Sequence, residues 1–222
     1  MSVLAIEYPG YGPAEGEPSE ESVNDNLMTA YRFLQSLGYP ESNIILMGYS
    51  IGTGPTIQLA AGLCEAGTPP GAVVTIAAFL SICDIVRDLK GSVIVTMLAE
   101  TIANRWNSSM RVTEITCPTL FIHGMKDDVI PWTHSKQLHE KCSAEKKFLR
   151  LCPNATHKQF EEPVDTVEAM ASFLGECLCP DDDAVLTNVP QFMFVCPQSI
   201  IETEKATRSA KRGKILLDSL VY

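Results

Sequence analysis

Ile44-Ile45-Leu46-Met47-Gly48-Tyr49-Ser50-Ile51-Gly52-Thr53-Gly54 joins a short apolar run to a glycine-rich turn around one serine. A strand running into G-x-S-x-G and then a helix describes a nucleophile elbow. The turn is so tight that the residues two before and one or two after the serine cannot carry bulk. Gly48 and Gly52 meet that need, and Gly54 relaxes the turn further. The serine hydroxyl is thereby lifted out of the backbone at a helix N-terminus, where backbone N–H groups can face an oxyanion.

A nucleophilic serine needs a base and an orienting acid, and their order along the chain is informative. Thr119-Leu120-Phe121-Ile122-His123 reads as a buried strand, followed by a loop containing Gly124, Asp127 and Asp128. Lys147-Phe148-Leu149-Arg150-Leu151 reads as another strand, ending in the loop Cys152 to His157. Serine, then acid, then histidine, each just beyond a strand, is an order that acyl-transfer enzymes use.

These segments, together with Val3 to Gly12, resemble the α/β-hydrolase superfamily. The closest likeness is to the intracellular α/β-hydrolase-domain serine hydrolases that include protein depalmitoylases. The resemblance covers residues 1 to about 175. It implies an α/β-hydrolase fold, a mostly parallel sheet flanked by helices. It also implies Ser50 as nucleophile, Asp127 as acid, His157 as base and the Ile51 N–H as oxyanion donor. In relatives the acid stands three residues after the His-Gly pair, which selects Asp127 over Asp128. Asp128 otherwise reads as a solvated loop carboxylate, and Asp84, after the strand around Val73 to Ile76, is a variant acid. His123 reads as a strand-end histidine, and His134 and His139 as residues of a surface helix. The implied substrate is a fatty acyl thioester on a protein cysteine, a lipid or a small ester, with no cofactor and no metal.

Composition narrows the field further. The chain has 222 residues and a net charge of −10, which argues against nucleic acid as partner and gives no polybasic membrane anchor. The longest apolar stretch, Gly71 to Cys83, is too short to span a bilayer, so membrane contact is not encoded as a transmembrane segment. The start lacks a basic n-region and a cleavage site. The eight cysteines are scattered, without a C-x-x-C, and read as reduced thiols rather than a disulfide framework or a zinc site. The expected location is cytoplasmic, peripheral to membranes.

Along the chain, residues 3 to 8 read as a strand and Pro9 to Pro18 as a loop. Ser19 caps a helix that Gly38 stops. Helices over 53–66, 132–141 and 163–177 alternate with strands 44–47, 72–77, 119–123 and 147–151, which implies a parallel sheet. One core domain over 1–179 is expected, with 79–112 either a helical cap or a cover over the sheet. The extension 180–222 is expected to be largely disordered.

The resemblance enters on what relatives show as the fourth strand, with none of the preceding strands present. The implied consequence is an N-terminally truncated fold, missing both an interior strand and the loop that donates a second oxyanion N–H. Strand 3–8 would then slide beside 44–47 or leave buried polar groups unpaired. The leading reading is therefore a Ser-His-Asp hydrolase of acyl esters or thioesters, with a peptidase as the rival within that class. The rival from another class is a catalytically impaired form, a binding module or an inert fragment.

Overall fold

The computed structural model describes residues 3–88, 105–161 and 164–178. Four parallel strands lie in chain order across one sheet: β1 (Ile45–Tyr49), β2 (Ala72–Ile76), β3 (Thr119–Gly124) and β4 (Lys147–Cys152). The register pairs Gly48 with Thr75, Thr75 with Phe121, and Phe121 with Leu149. Both central strands are buried along their whole length, whereas β1 and β4 are only partly covered. That is why β2 and β3 read as continuous apolar runs without a polar face.

Alternate residues of each strand feed two cores. Leu46, Val73 and Phe121 join Tyr31 of α1 (Glu20–Ser36), Ile57, Ala60 and Ala61 of α2 (Thr53–Glu65), and Leu138. Ala72, Val74, Ile76, Leu120 and Ile122 meet Phe173 of the C-terminal helix α6 (Val167–Cys177) on the opposite face. Two short helices, α3 (Ile82–Asp88) and α4 (Ser108–Arg111), and the helix α5 (Thr133–Lys141) complete the fold. Ser19 accepts the Ser22 N–H at 3.0 Å while the Ser22 hydroxyl accepts the Ser19 N–H at 2.9 Å, a reciprocal cap on α1.

Three expectations need correction. Residues 3–8 form no strand and pair with no neighbour in the sheet; β1 is its edge. An apolar run becomes a strand only through a ladder partner, and Val3 remains 84% exposed. His134 is not a surface residue: its ring is buried, accepting the Leu80 N–H at Nδ1 (3.1 Å) and meeting Asp88 at Nε2 (2.6 Å). The helix expected from 163 begins at Val167. Residues 89–104 of the expected 79–112 cap, and the expected extension 180–222, lie outside the described residues.

Candidate active site

Parallel strands put their carboxyl ends along one edge of the sheet, so loops distant in sequence share a crevice there. Ser50 follows β1, Asp127 follows β3 and His157 follows β4. Ser50 sits in the left-handed region at φ +51°, which a non-glycine residue occupies only under constraint from its surroundings. The constraint is visible at Gly48, where a Cβ would lie 2.5 Å from the Gly52 carbonyl oxygen and 2.6 Å from Thr56 Oγ1. Thr53 Oγ1 donates to the Ser50 carbonyl at 2.7 Å, holding the turn against the start of α2.

The two glycines of the elbow are not equivalent. Gly52 has an ordinary helical φ of −65°, and a Cβ there would meet only Tyr8 Oη, at 3.3 Å. Its strict need for a bare backbone is therefore an expectation the structure corrects. Gly54 is the tighter position, because a Cβ would stand 2.6 Å from Trp106 Cγ.

Acid and base are joined through backbone ties between their loops. The Met125 N–H donates to the Cys152 carbonyl at 2.8 Å and the Lys126 N–H to the Ala155 carbonyl at 2.9 Å. Gly124 permits this approach, since a Cβ would lie 2.5 Å from the Ala155 oxygen. Tyr49, on β1, donates its hydroxyl to the His157 carbonyl and so fastens the histidine loop to the strand that carries Ser50.

The side chains then meet. His157 Nε2 lies 2.9 Å from Ser50 Oγ, and His157 Nδ1 lies 2.7 Å from Asp127 Oδ2. A carboxylate only accepts, so Nδ1 carries the hydrogen in this contact and Nε2 is left to accept the serine hydroxyl. The Asp127 side chain is fully buried, and His157 is 7% exposed. Burial alone would raise the Asp127 pKa. His123, His157 and the N–H groups of Ile130 and Val129 outweigh that effect and hold the carboxyl below its ordinary range. Burial first, and Asp127 second, push the Tyr49 phenol upward.

The other two candidate carboxylates are placed differently. Asp128 is exposed. Asp84 takes the Ser81 hydroxyl at 2.6 Å and Arg87 at 3.2 Å. Ile51 follows the serine in a 3₁₀ turn leading into α2, the position expected of an oxyanion donor. Sequence reasoning missed Tyr49 and His123 as supports. The latter left a signal, because a histidine inside an otherwise apolar strand must find polar partners if buried. Among the described residues no cluster of His, Cys, Asp and Glu could hold a metal ion.

Two outcomes follow from this geometry. Gly48→Ala should destabilise the chain by at least about 2 kcal/mol in urea unfolding while Gly52→Ala costs less than about 1 kcal/mol, because the first clash is with backbone and the second with a movable phenol. Asp127, whose pKa is depressed on folding, contributes stability that is complete above about pH 4 and is lost as pH falls toward its folded value. The stability advantage of the wild type over Asp127→Asn should thus be level at neutral pH and shrink below about pH 4. An advantage that grows on acidification would contradict the reading.

A family profile described as serine aminopeptidase, S33, matches residues 87–164, a span that holds Asp127 and His157. The α/β-hydrolase domain-containing protein aho-3 of Caenorhabditis elegans is 29% identical over 174 residues, covering 78% of this chain and 48% of the relative. The lysophosphatidylserine lipase ABHD12 of Danio rerio is 29% identical over 156 residues, 66% of this chain and 41% of the relative. The chain thus spans about half the length of these relatives. Among solved structures, Est1E from Butyrivibrio proteoclasticus superposes with a TM-score of 0.58 at 20% identity, covering 77% of this chain and 74% of that one. Acetyl xylan esterase from Paenibacillus sp. R4 gives 0.58 at 18%, covering 78% and 60%. With the parallel sheet and its order of loops, these likenesses show an α/β-hydrolase fold.

Proposed function

We propose that this chain carries the catalytic centre of a serine hydrolase acting on acyl esters or thioesters. The observation that supports it is the continuous relay from Ser50 Oγ through the His157 ring to Asp127, at 2.9 and 2.7 Å. Ser50 attacks the acyl carbon as His157 Nε2 takes its proton, and Asp127 stabilises the imidazolium that forms. The Ile51 N–H, at the head of the α2 turn, faces the charge developing on the acyl oxygen. His157 then gives its proton to the departing alcohol or thiol, leaving an acyl-serine. Water, deprotonated by the same nitrogen, attacks the acyl carbon, the bond to Ser50 Oγ breaks, and His157 returns the proton to Oγ as the acid leaves. Every proton in this cycle is carried by residues of the chain.

The substrate class we favour is a fatty acyl chain esterified to a lipid or thioesterified to a protein cysteine, met at a membrane surface from the cytoplasmic side. The likeness to a lysophosphatidylserine lipase supports the ester. The free thiols of Cys64, Cys117, Cys142, Cys152 and Cys177 suit a reducing compartment. No helix among the described residues is long and apolar enough to cross a membrane. A peptidase is the second reading, favoured by the serine aminopeptidase profile.

A fluorophosphonate probe should label Ser50, and Ser50→Ala should not react. Asp127→Asn should lower turnover of a p-nitrophenyl ester by up to about 10⁴-fold, while Asp128→Asn stays within a few-fold. Cleavage of an aminoacyl anilide in preference to the ester would favour the peptidase. Absence of labelling in the wild type would favour a non-catalytic form.

A further inference from the structure

His123 touches none of the reacting atoms, yet its ring is completely buried and both nitrogens are engaged. Nδ1 lies 2.7 Å from Ser135 Oγ on α5. Nε2 lies 2.9 Å from the Ile130 carbonyl and 3.3 Å from Asp127 Oδ2. Both of those oxygens can only accept, so Nε2 bears the hydrogen, which bonds the Ile130 carbonyl with Asp127 Oδ2 close beside it. A neutral ring then leaves Nδ1 to accept the Ser135 hydroxyl.

The placement matters because Asp127 Oδ2 is also the oxygen that His157 Nδ1 contacts, at 2.7 Å. The other oxygen, Oδ1, accepts the Val129 and Ile130 N–H groups at 2.9 and 2.8 Å. Ile130 thus donates to the carboxylate with its N–H and accepts from His123 with its carbonyl. The histidine closes the turn that presents the acid, and it also reaches the acid itself. We propose that His123 is a positioning residue of the relay, fixing the Asp127 carboxylate for His157 and tempering its charge. The proposal rests on the hydrolase reading above.

Chemistry gives it a sign. A neutral imidazole N–H beside Oδ2, 3.3 Å away, withdraws negative charge from the contact with His157 and so moderates how strongly that ring holds a proton. The titratable groups facing the carboxylate are His123 from β3, His157 from the loop after β4, and the Tyr49 phenol from β1. A histidine that merely satisfies its own buried nitrogens would affect folding and leave the behaviour of His157 alone.

The test compares the full chain with His123→Leu, which removes the donor, and His123→Gln, which restores a side-chain N–H. With p-nitrophenyl butyrate, His123→Leu is expected to lower kcat about 10- to 100-fold at nearly constant KM. The acidic limb of its pH–rate profile should move upward by about one pH unit. His123→Gln should recover most of both. A folded His123→Leu protein with wild-type kcat and an unmoved acidic limb overturns the proposal. Should His123→Leu not fold, Ser135→Ala releases Nδ1 alone, and the expected outcome is a smaller loss of kcat with KM held; an unchanged kcat overturns the proposal. Nitrogen-15 NMR of the imidazoles reads the arrangement without turnover. The proton of His123 should reside on Nε2, and the His157 Nδ1–H resonance should move in His123→Leu or, should that variant not fold, in Ser135→Ala. A proton on Nδ1 of His123, or an unmoved His157 resonance, contradicts the proposal even if the chain hydrolyses nothing. A wild type inert to ester and probe, with both NMR outcomes as expected, instead defeats the hydrolase reading and leaves the positioning contact standing.

Discussion

A single buried carboxylate, Asp127, is the constraint on which the rest of the site depends. It accepts the Val129 and Ile130 N–H groups on one oxygen and meets both His157 and His123 on the other. An ionised carboxyl without such donors could not remain charged in the interior, where burial pushes it toward the neutral form. With them it stays ionised and cannot rotate, because each oxygen has its own set of partners. The tautomer of His157 follows from that charge, and the tautomer leaves Nε2 to accept the Ser50 hydroxyl.

Fold and chemistry are coupled through backbone contacts more than through side chains. The acid loop and the base loop are stitched by the Met125 and Lys126 N–H groups, at a closeness that Gly124 alone allows. On the other side, the strained φ of Ser50 is sustained by Gly48 packed directly on the Gly52 carbonyl. Tyr49 joins the two halves by bonding the His157 carbonyl. The relay is therefore held from both flanks of the sheet, and none of its members depends on a lone flexible side chain.

Much of this was legible because the relevant physics is local. Gly48 and Ser50 advertise a tight turn, Ser19 advertises a cap, and the runs Ala72–Ile76 and Thr119–His123 are mostly apolar, as strands covered on both faces must be. The order of serine, acid and histidine needed only parallel strands to become a cluster. What escaped was set by partners distant in sequence. Val3 to Tyr8 has the composition of a strand, but composition does not name the neighbour that would complete its ladder. His134 looked like a surface residue because helix periodicity does not disclose the Leu80 N–H and Asp88 waiting for it. The tolerance at Gly52 could not be told from the need at Gly48, because both are glycine and only the packing of Gly52 O and Tyr8 separates them.

The most direct measurement is an acid-quenched pre-steady-state reaction of the full chain with p-nitrophenyl butyrate, followed by peptide mapping. A burst of p-nitrophenol approaching one equivalent per chain, and a butyryl mass on the peptide containing Ser50, are expected. A butyryl group trapped reproducibly on another residue, with Ser50 unmodified and Ser50→Ala turning over at the wild-type rate, would contradict the account.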